Sequence, residues 1–237
     1  MKKIEPYHML IALAALLVVV GIALHCTRSL SLLQGGEPIE PPAEGRTGDL
    51  FELWFTPAEL FDIDTDHNVT GIIFGTDAKK VSLLDRERKL RWEKSFSSNP
   101  LQTKISACGD HFAVGTEGGD LFFMTVDSQL SWQEELGAPV NLVALSENAK
   151  WILVGKGAPE GTAHELELFD REGKKQWSVP TGPLQNIWLA GEQPEQGRIF
   201  YTRLREEKIV TAAAALTGEV LWEIEKAALM AVSRTEN

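Results

Sequence analysis

Cysteine is nearly absent from this chain: its 237 residues include two, Cys26 and Cys108. Cys26 lies at the edge of an apolar N-terminal run, and Cys108 lies far along the chain in a strand-like stretch. No disulfide framework can therefore hold the fold together. We expect Cys108 to be a small buried residue, because an unpaired cysteine in such a setting is more often packed than reactive.

Basic residues are in the minority, with 23 Lys and Arg against 34 Asp and Glu, and the formal net charge at pH 7 is −11. An acidic domain is repelled by nucleic acid and by anionic lipid headgroups. The sequence also has no basic patch with interleaved aromatic residues. We therefore predict no nucleic-acid partner.

Linear motifs for catalysis or cofactor binding are missing. The sequence contains no G-x-S-x-G, no P-loop and no G-x-G-x-x-G, and its five histidines include no pair at helical metal-binding spacing. The glycine-rich stretch 155–161 precedes neither a helix nor a Lys-Ser/Thr pair, which indicates a hairpin loop. We predict that the protein is not an enzyme and binds no organic cofactor. An enzyme whose residues assemble only across repeats stays an alternative.

A long apolar run is present near the N-terminus, where residues 9–24 carry no charge. With its flanks the run approaches the roughly 20 residues that a membrane-spanning helix needs, and two preceding lysines favour a cytoplasmic N-terminus. We predict one N-terminal transmembrane helix within a membrane anchor at 1–28. The protein would be single-pass in the cytoplasmic membrane, with its domain on the extracytoplasmic side. A lipoprotein modified at Cys26 and a cleaved signal peptide stay open, although the preceding histidine counts against both.

Tryptophan recurs at intervals of 38 to 45 residues in the part of the chain that follows the anchor. Residues 29–49 hold four glycines and three prolines without apolar periodicity, which predicts a flexible linker. The repeat domain is predicted at 50–237. Its recurring tryptophans are Trp54, Trp92, Trp132, Trp177 and Trp222.

Each repeat contains about four short stretches rich in Val, Ile, Leu, Phe and Thr, and no convincing helix. Polar turns with Asp or Gly separate the last two stretches, as hairpins require. The pattern predicts an all-β fold, a β-propeller of about four to five four-stranded blades. The predicted units end at Trp92, Trp132, Trp177 and Trp222, and we expect these four side chains to pack between neighbouring blades.

The stretch TAAAALTGEVLW, residues 211–222, resembles the tryptophan-docking repeat of propellers related to quinoprotein dehydrogenases and to BamB. Thr217, Gly218 and Trp222 match that repeat, and Ala214 replaces its usual aspartate. The resemblance covers about residues 50–232 and implies a propeller. It implies a non-enzymatic member, because the quinone-dependent enzymes have eight blades and often a pair of adjacent cysteines over the cofactor.

The Asp62–Asn68 loop is a candidate metal site, because carboxylates alternate along it. Such oxygen ligands on one loop are those that calcium prefers. The loop resembles the calcium loop of FG-GAP propeller repeats, with a histidine in place of the turn glycine and Thr70 in place of the last acidic ligand. A solvated acidic strand edge is the alternative. The predicted calcium ligands are Asp62, Asp64 and Asp66.

Four tryptophan-ending units leave the closure of the ring open. A closed ring of four or five blades, an eight-blade ring made of two chains, and an arc completed by a different protein all satisfy the pattern. The predicted function is a protein-interaction or assembly scaffold in the cell envelope. Its partner would be another envelope protein or a second copy of the chain. The alternative is a ligand or calcium sensor that uses the Asp62–Asn68 loop or the propeller centre.

Overall fold

The structure of the protein is a computed structural model that describes residues 59–87, 89–158 and 162–226. These ranges contain fifteen β-strands and no helix that could span a membrane. The predicted anchor at 1–28 and the linker at 29–49 lie outside them. The strands are β1 (Leu60–Thr65), β2 (Gly71–Thr76), β3 (Lys80–Asp85), β4 (Leu90–Ser95), β5 (Pro100–Ile105), β6 (His111–Thr116), β7 (Asp120–Thr125), β8 (Leu130–Glu135), β9 (Val140–Leu145), β10 (Trp151–Gly157), β11 (Ala163–Asp170), β12 (Lys175–Ala190), β13 (Arg198–Arg205), β14 (Lys208–Ala215) and β15 (Val220–Glu225).

The strands form antiparallel sheets in chain order: β1 to β4, β5 to β8, and a seven-stranded sheet of β9 to β15. Strand β12 serves two units, because its first half pairs with β11 and its second half with β13. Gly182, with a φ of +74°, lies between the two halves. The described chain therefore holds four four-stranded blades. Blade 1 is β1–β4, blade 2 is β5–β8, blade 3 ends in the first half of β12, and blade 4 runs from its second half to β15. The predicted all-β fold of four-stranded repeats is confirmed.

The hydrophobic core lies between the blades and consists of three clusters, one at each junction of consecutive blades. Between blades 1 and 2, for example, Ile73 and Leu83 meet Phe112 and Met124. A four-stranded sheet is too small to bury its own faces, so stacking on a neighbour removes its apolar side chains from water. Each blade therefore depends on the next for its stability.

The first strand of each blade lies at the centre of the arrangement. Strand β1 contacts β5, β5 contacts β9, and β9 contacts β12. Among the described strands no comparable contact joins β12 back to β1. Within the described residues, the four blades thus follow one another as an arc, in which blade 1 has no preceding blade and blade 4 has no following blade.

Gly173 in the β11–β12 turn shows why the repeat places a glycine four residues before its tryptophan. Its φ is +84°, and a Cβ added there would lie 2.9 Å from the Trp132 ring of the preceding blade. We expect Gly173→Ala to lower the free energy of unfolding by about 2–4 kcal/mol, from backbone strain and overpacking together. Gly137→Ala is the matched control, because Gly137 has a φ of +71° and no atom within 4 Å of the added Cβ. Equal losses for both variants in urea unfolding would show that the contact with Trp132 contributes nothing.

Cys108 differs from the expectation that it is buried. It lies beyond the end of β5, in the turn that leads to β6, and its side chain is exposed. The apolar residues before it suggested that the strand continues, but β5 ends at Ile105. The expectation was wrong because the turn begins earlier than the sequence pattern indicates.

Candidate functional site

Three of the repeat tryptophans dock on the following blade in the same way. Each donates its indole N–H to a backbone carbonyl in the turn between the third and fourth strands of that blade. The pairs are Trp92 with Val126 at 2.7 Å, Trp132 with Arg171 at 2.8 Å, and Trp177 with Leu216 at 2.7 Å.

The docked rings also stack on aromatic neighbours. The ring of Trp92 lies 5.1 Å from that of Phe112 in blade 2. Trp132 lies between Phe123 of its own blade and Phe169 of blade 3, with ring centroids 5.4 and 6.0 Å away. The three docked indoles are half-buried, and each combines apolar packing with a hydrogen bond, as anchors between two surfaces do.

Trp222, the last of the series, has no such dock within the described chain. It lies on β15 of blade 4, is 43% exposed, and its indole N–H has no described acceptor. Its nearest aromatic ring is Phe200 of its own blade, at 6.3 Å. The face of blade 4 that corresponds to the docking faces of blades 1 to 3 is therefore uncovered along β15.

Blade 1 is uncovered on its opposite face. Leu60 and Ile63 of β1 are 42% and 43% exposed, whereas the residues at the same register positions of the later blades are at most 8% exposed. In those later blades the preceding blade covers these positions. The turn carbonyl that would accept an indole here belongs to Arg86, and no described residue donates to it.

The predicted calcium ligands Asp62 and Asp64 lie on β1, beside the inner strand of blade 2. Asp62 accepts a hydrogen bond from the N–H of Thr103 at 3.0 Å and an ion pair from Lys104 at 2.8 Å. Asp64 accepts from the N–H of Ile105 at 3.0 Å. Burial raises the pKa of Asp64 above its usual value, although Lys104 and these backbone groups oppose the change. Both carboxylates thus join the inner strands of blades 1 and 2.

Asp66, the third predicted ligand, closes the turn that follows β1. Its two oxygens accept hydrogen bonds from the backbone N–H groups of Asn68, Thr70 and Gly71 and from the Thr70 hydroxyl. Burial alone would raise the pKa of Asp66, but these donors outweigh it and lower the pKa. Ser106 and Ser146 occupy the same register position in blades 2 and 3 and accept from one backbone N–H each.

No group of three or more His, Cys, Asp or Glu side chains with metal-binding geometry occurs among the described residues. The oxygens of Asp62, Asp64 and Asp66 face different donors. A calcium site at the Asp62–Asn68 loop stays a prediction, and a calcium titration tests it.

Asp66→Asn is expected to lower the free energy of unfolding by about 1–3 kcal/mol at pH 7, because an amide cannot satisfy four donors. A carboxylate whose pKa is lowered by folding contributes stability above its unfolded pKa, near 3.8. That contribution is lost as the pH falls through the folded pKa. The difference in free energy of unfolding between wild type and variant should therefore become smaller below about pH 4. Urea unfolding at pH 7 and pH 3 measures this difference, and a constant difference would contradict the role of the charge.

A cavity of about 430 Å³ lies where the four inner strands meet. This volume falls in the range of small-molecule sites. Blades 1 and 2 contribute mostly polar side chains to its wall, and blades 3 and 4 mostly apolar ones. The side chains that line it from the four blades include Asp62, Asp64, Gln102, Lys104, Leu142, Ala144, Asn186 and Trp188.

An ionic cluster that sequence reasoning missed lies between blades 2 and 3. Glu167 on β11 is 1% exposed and accepts ion pairs at 3.0 Å from both Lys156 and Lys175. Lys156 also donates to the carbonyl of Leu136 in blade 2, at 3.2 Å. Burial lowers the pKa of Lys156, but the hydrogen bonds and charges of Glu167 and Glu165 outweigh it and raise the pKa. A charged residue inside the apolar strand ELELF was the available signal.

No family model and no curated protein sequence matches the chain. Solved structures do match. Hydrazine synthase of Kuenenia stuttgartiensis is 12% identical with a TM-score of 0.60, over 80% of this chain and 53% of that one. The Cps50 β-propeller domain of Myceliophteria thermophila is 15% identical with a TM-score of 0.54, over 68% of this chain and 55% of that one. The described domain is a β-propeller.

BamB from Moraxella catarrhalis is 18% identical with a TM-score of 0.48, over 70% of this chain and 64% of that chain. Identities at this level show the propeller fold and not a family within it. The chain spans about half the length of the first two structures. Within the described residues, blade 1 has no preceding blade and blade 4 has no following blade.

Proposed function

We propose that the protein is a membrane-anchored, extracytoplasmic β-propeller that acts as a non-enzymatic protein-interaction or assembly scaffold in the cell envelope. The observation that carries the proposal is the pair of uncovered faces at blades 1 and 4. The side chains of Leu60, Ile63 and Trp222 are exposed on these faces, whereas the corresponding side chains at the junctions between blades pack against a neighbouring blade. Exposed apolar surface that is repeated elsewhere as a buried interface is typical of a docking surface.

Kinship with the tryptophan-docking propellers related to quinoprotein dehydrogenases and to BamB belongs to the same proposal. It rests on Thr217, Gly218 and Trp222, and on a geometry in which three tryptophans each dock on the next blade. The fold supports this kinship. The sequence identities leave it a proposal.

The membrane location rests on the apolar run at 9–24 and its flanking lysines. The exposed Cys108 offers a direct test in a Cys26→Ser variant, which also removes the thiol that a lipoprotein would need. We expect this variant to stay in the membrane fraction after alkaline extraction. A membrane-impermeant maleimide should label Cys108 in intact spheroplasts. Labelling only after lysis would contradict the extracytoplasmic location.

The scaffold role is tested by cross-linking the tagged full chain in its host membrane, followed by detergent extraction and mass spectrometry. Trp222→Glu should release the partner. Leu130→Glu should keep it, because Leu130 is 50% exposed on the equivalent outer strand of blade 2, away from either end face. Failure to recover any protein reproducibly with wild type, or equal recovery with Trp222→Glu, would contradict the proposal.

A ligand sensor is the second candidate, and the central cavity favours it. Asp62, Asp64 and Trp188 offer this space two carboxylates and an indole. A ligand that binds the native state must raise its stability. For calcium, the thermal midpoint should rise at millimolar concentration and return with chelator. An unchanged midpoint would remove the calcium version.

A further inference from the structure

The uncovered face of blade 4 carries a tryptophan indole N–H. At each of the three junctions between consecutive blades, such an indole N–H donates to the next blade. In each internal junction an indole N–H meets a turn carbonyl of the following blade at 2.7 or 2.8 Å. Trp222 offers the same indole on the same register of its blade, since it pairs with Ala213 as Trp177 pairs with Leu168. The described residues include no blade that follows it.

The uncovered face of blade 1 carries the matching acceptor half. Arg86 follows Asp85 as Val126 follows Thr125, and both Val126 and the later counterparts accept an indole N–H. Leu60 and Ile63 offer the apolar surface that the internal blades bury against a predecessor. The acceptor and the apolar surface are therefore both in place, without a preceding blade among the described residues. Trp54, the tryptophan that precedes blade 1 in the repeat, lies outside the described residues and is the competing donor for the Arg86 carbonyl.

A second polar contact joins the inner strands of blades 1 and 2. Asp62 of blade 1 accepts the backbone N–H of Thr103 on the next inner strand. Asn186 holds the same register position in blade 4, opposite Thr202 as Asp62 is opposite Gly75, and it is exposed. The counterpart of Thr103 in blade 1 is Ile63, whose N–H lies on the free edge of β1. The amide oxygen of Asn186 therefore matches the N–H of Ile63.

We propose that the partner of these two faces is a second copy of the chain, joined head to tail. Trp222 of each copy docks on the Arg86 carbonyl of the other, and the two four-blade arcs form one eight-blade ring. A head-to-tail contact of this kind closes when its rotation completes a circle, and eight blades lie within the range of propellers. This inference rests on the proposed scaffold function and names its partner.

Cross-linking with a short bis-maleimide tests the geometry in a Cys26→Ser, Cys108→Ser background. At the first internal junction Arg91 contacts Asp127 at 3.6 Å. The corresponding pair across the proposed contact is Leu221 and Glu87, both exposed. The full chain carrying Leu221→Cys and Glu87→Cys should give a covalent dimer in detergent. Each single variant should give none, and Arg91→Cys with Asp127→Cys is the control that should cross-link within one chain.

Three outcomes overturn the inference. A cross-link within one chain would mean that a single copy closes its own ring. A dimer from either single-cysteine variant would mean a contact of like faces. No cross-link, while the Arg91→Cys with Asp127→Cys control reacts, would mean that these faces are covered by another protein or by the chain's own segment that carries Trp54.

Native mass spectrometry of the full chain in detergent gives an independent measure. Trp222→Ala should weaken dimerisation by at least about 30-fold, as the loss of a tryptophan anchor does, and Leu130→Ala should leave it unchanged. A chain that is monomeric and yet retains a different partner through Trp222 would refute the second copy and leave the scaffold function standing. A dimer that captures no other protein would support the second copy and contradict a scaffold function toward other proteins.

Discussion

Replacing Trp132 by alanine is expected to lower the free energy of unfolding by about 3–5 kcal/mol. The side chain stacks between Phe123 and Phe169 of two different blades and donates its N–H to the carbonyl of Arg171. The truncation would leave a cavity between blades 2 and 3 and an unpaired carbonyl. Because each blade depends on its neighbour, we expect the loss to act on the whole domain.

Leu130→Ala is the matched control, since Leu130 lies on the same strand and is 50% exposed. It should change the free energy of unfolding by less than about 0.5–1 kcal/mol. Trp132→Phe separates the two parts of the dock, because it keeps a ring and removes the N–H donor, and should cost about 1–3 kcal/mol. Guanidinium unfolding followed by far-UV circular dichroism measures all three. A Trp132→Ala loss no larger than that of Leu130→Ala would contradict the packing role.

The repeat itself was predictable because its signal is physical and recurs. A large indole at intervals of 38 to 45 residues, a turn residue before it and runs of strand-forming residues between are each required by stacked four-stranded sheets. Gly173 and Gly218 show the requirement directly: both have positive φ, and both lie under the tryptophan of the preceding blade. The pattern therefore reports contacts between blades as well as strands.

The candidate site was less predictable, because single residues take their roles from neighbours distant in sequence. The alternating carboxylates of β1 suggested a metal loop, yet Asp62 and Asp64 accept backbone N–H groups about forty residues away, in the next blade. Ring closure was left open by the sequence for a related reason. Every blade carries the same docking signals, so nothing in the repeat distinguishes a face with a neighbour from a face without one.

The Glu167 cluster was not predicted, because Glu165 and Glu167 lie on the same face of the strand ELELF and the sequence pattern does not show that a neighbouring blade covers Glu167. In the structure the Glu165 side chain is 38% exposed, whereas Glu167 is 1% exposed and lies on the side of blade 2. The position of Glu167 corresponds to Phe122 in blade 2, which packs edge to face on Phe96 at 4.9 Å. One junction thus uses an ion pair where another uses two aromatic rings.

Glu167→Ala is expected to lower the free energy of unfolding by about 3–5 kcal/mol, because it removes the buried carboxylate that pairs with both Lys156 and Lys175. Lys156→Met with Glu167→Leu should recover most of that loss, since a buried ion pair is often replaceable by apolar side chains of similar volume. The Lys156 pKa, raised on folding, means that the pair contributes fully below the unfolded value of 10.5 and is lost as the pH rises through the folded value. Urea unfolding of both variants between pH 7 and pH 11 measures these effects. If the double variant were no more stable than Glu167→Ala, the junction between blades 2 and 3 would need the charges themselves and not just the volume they fill.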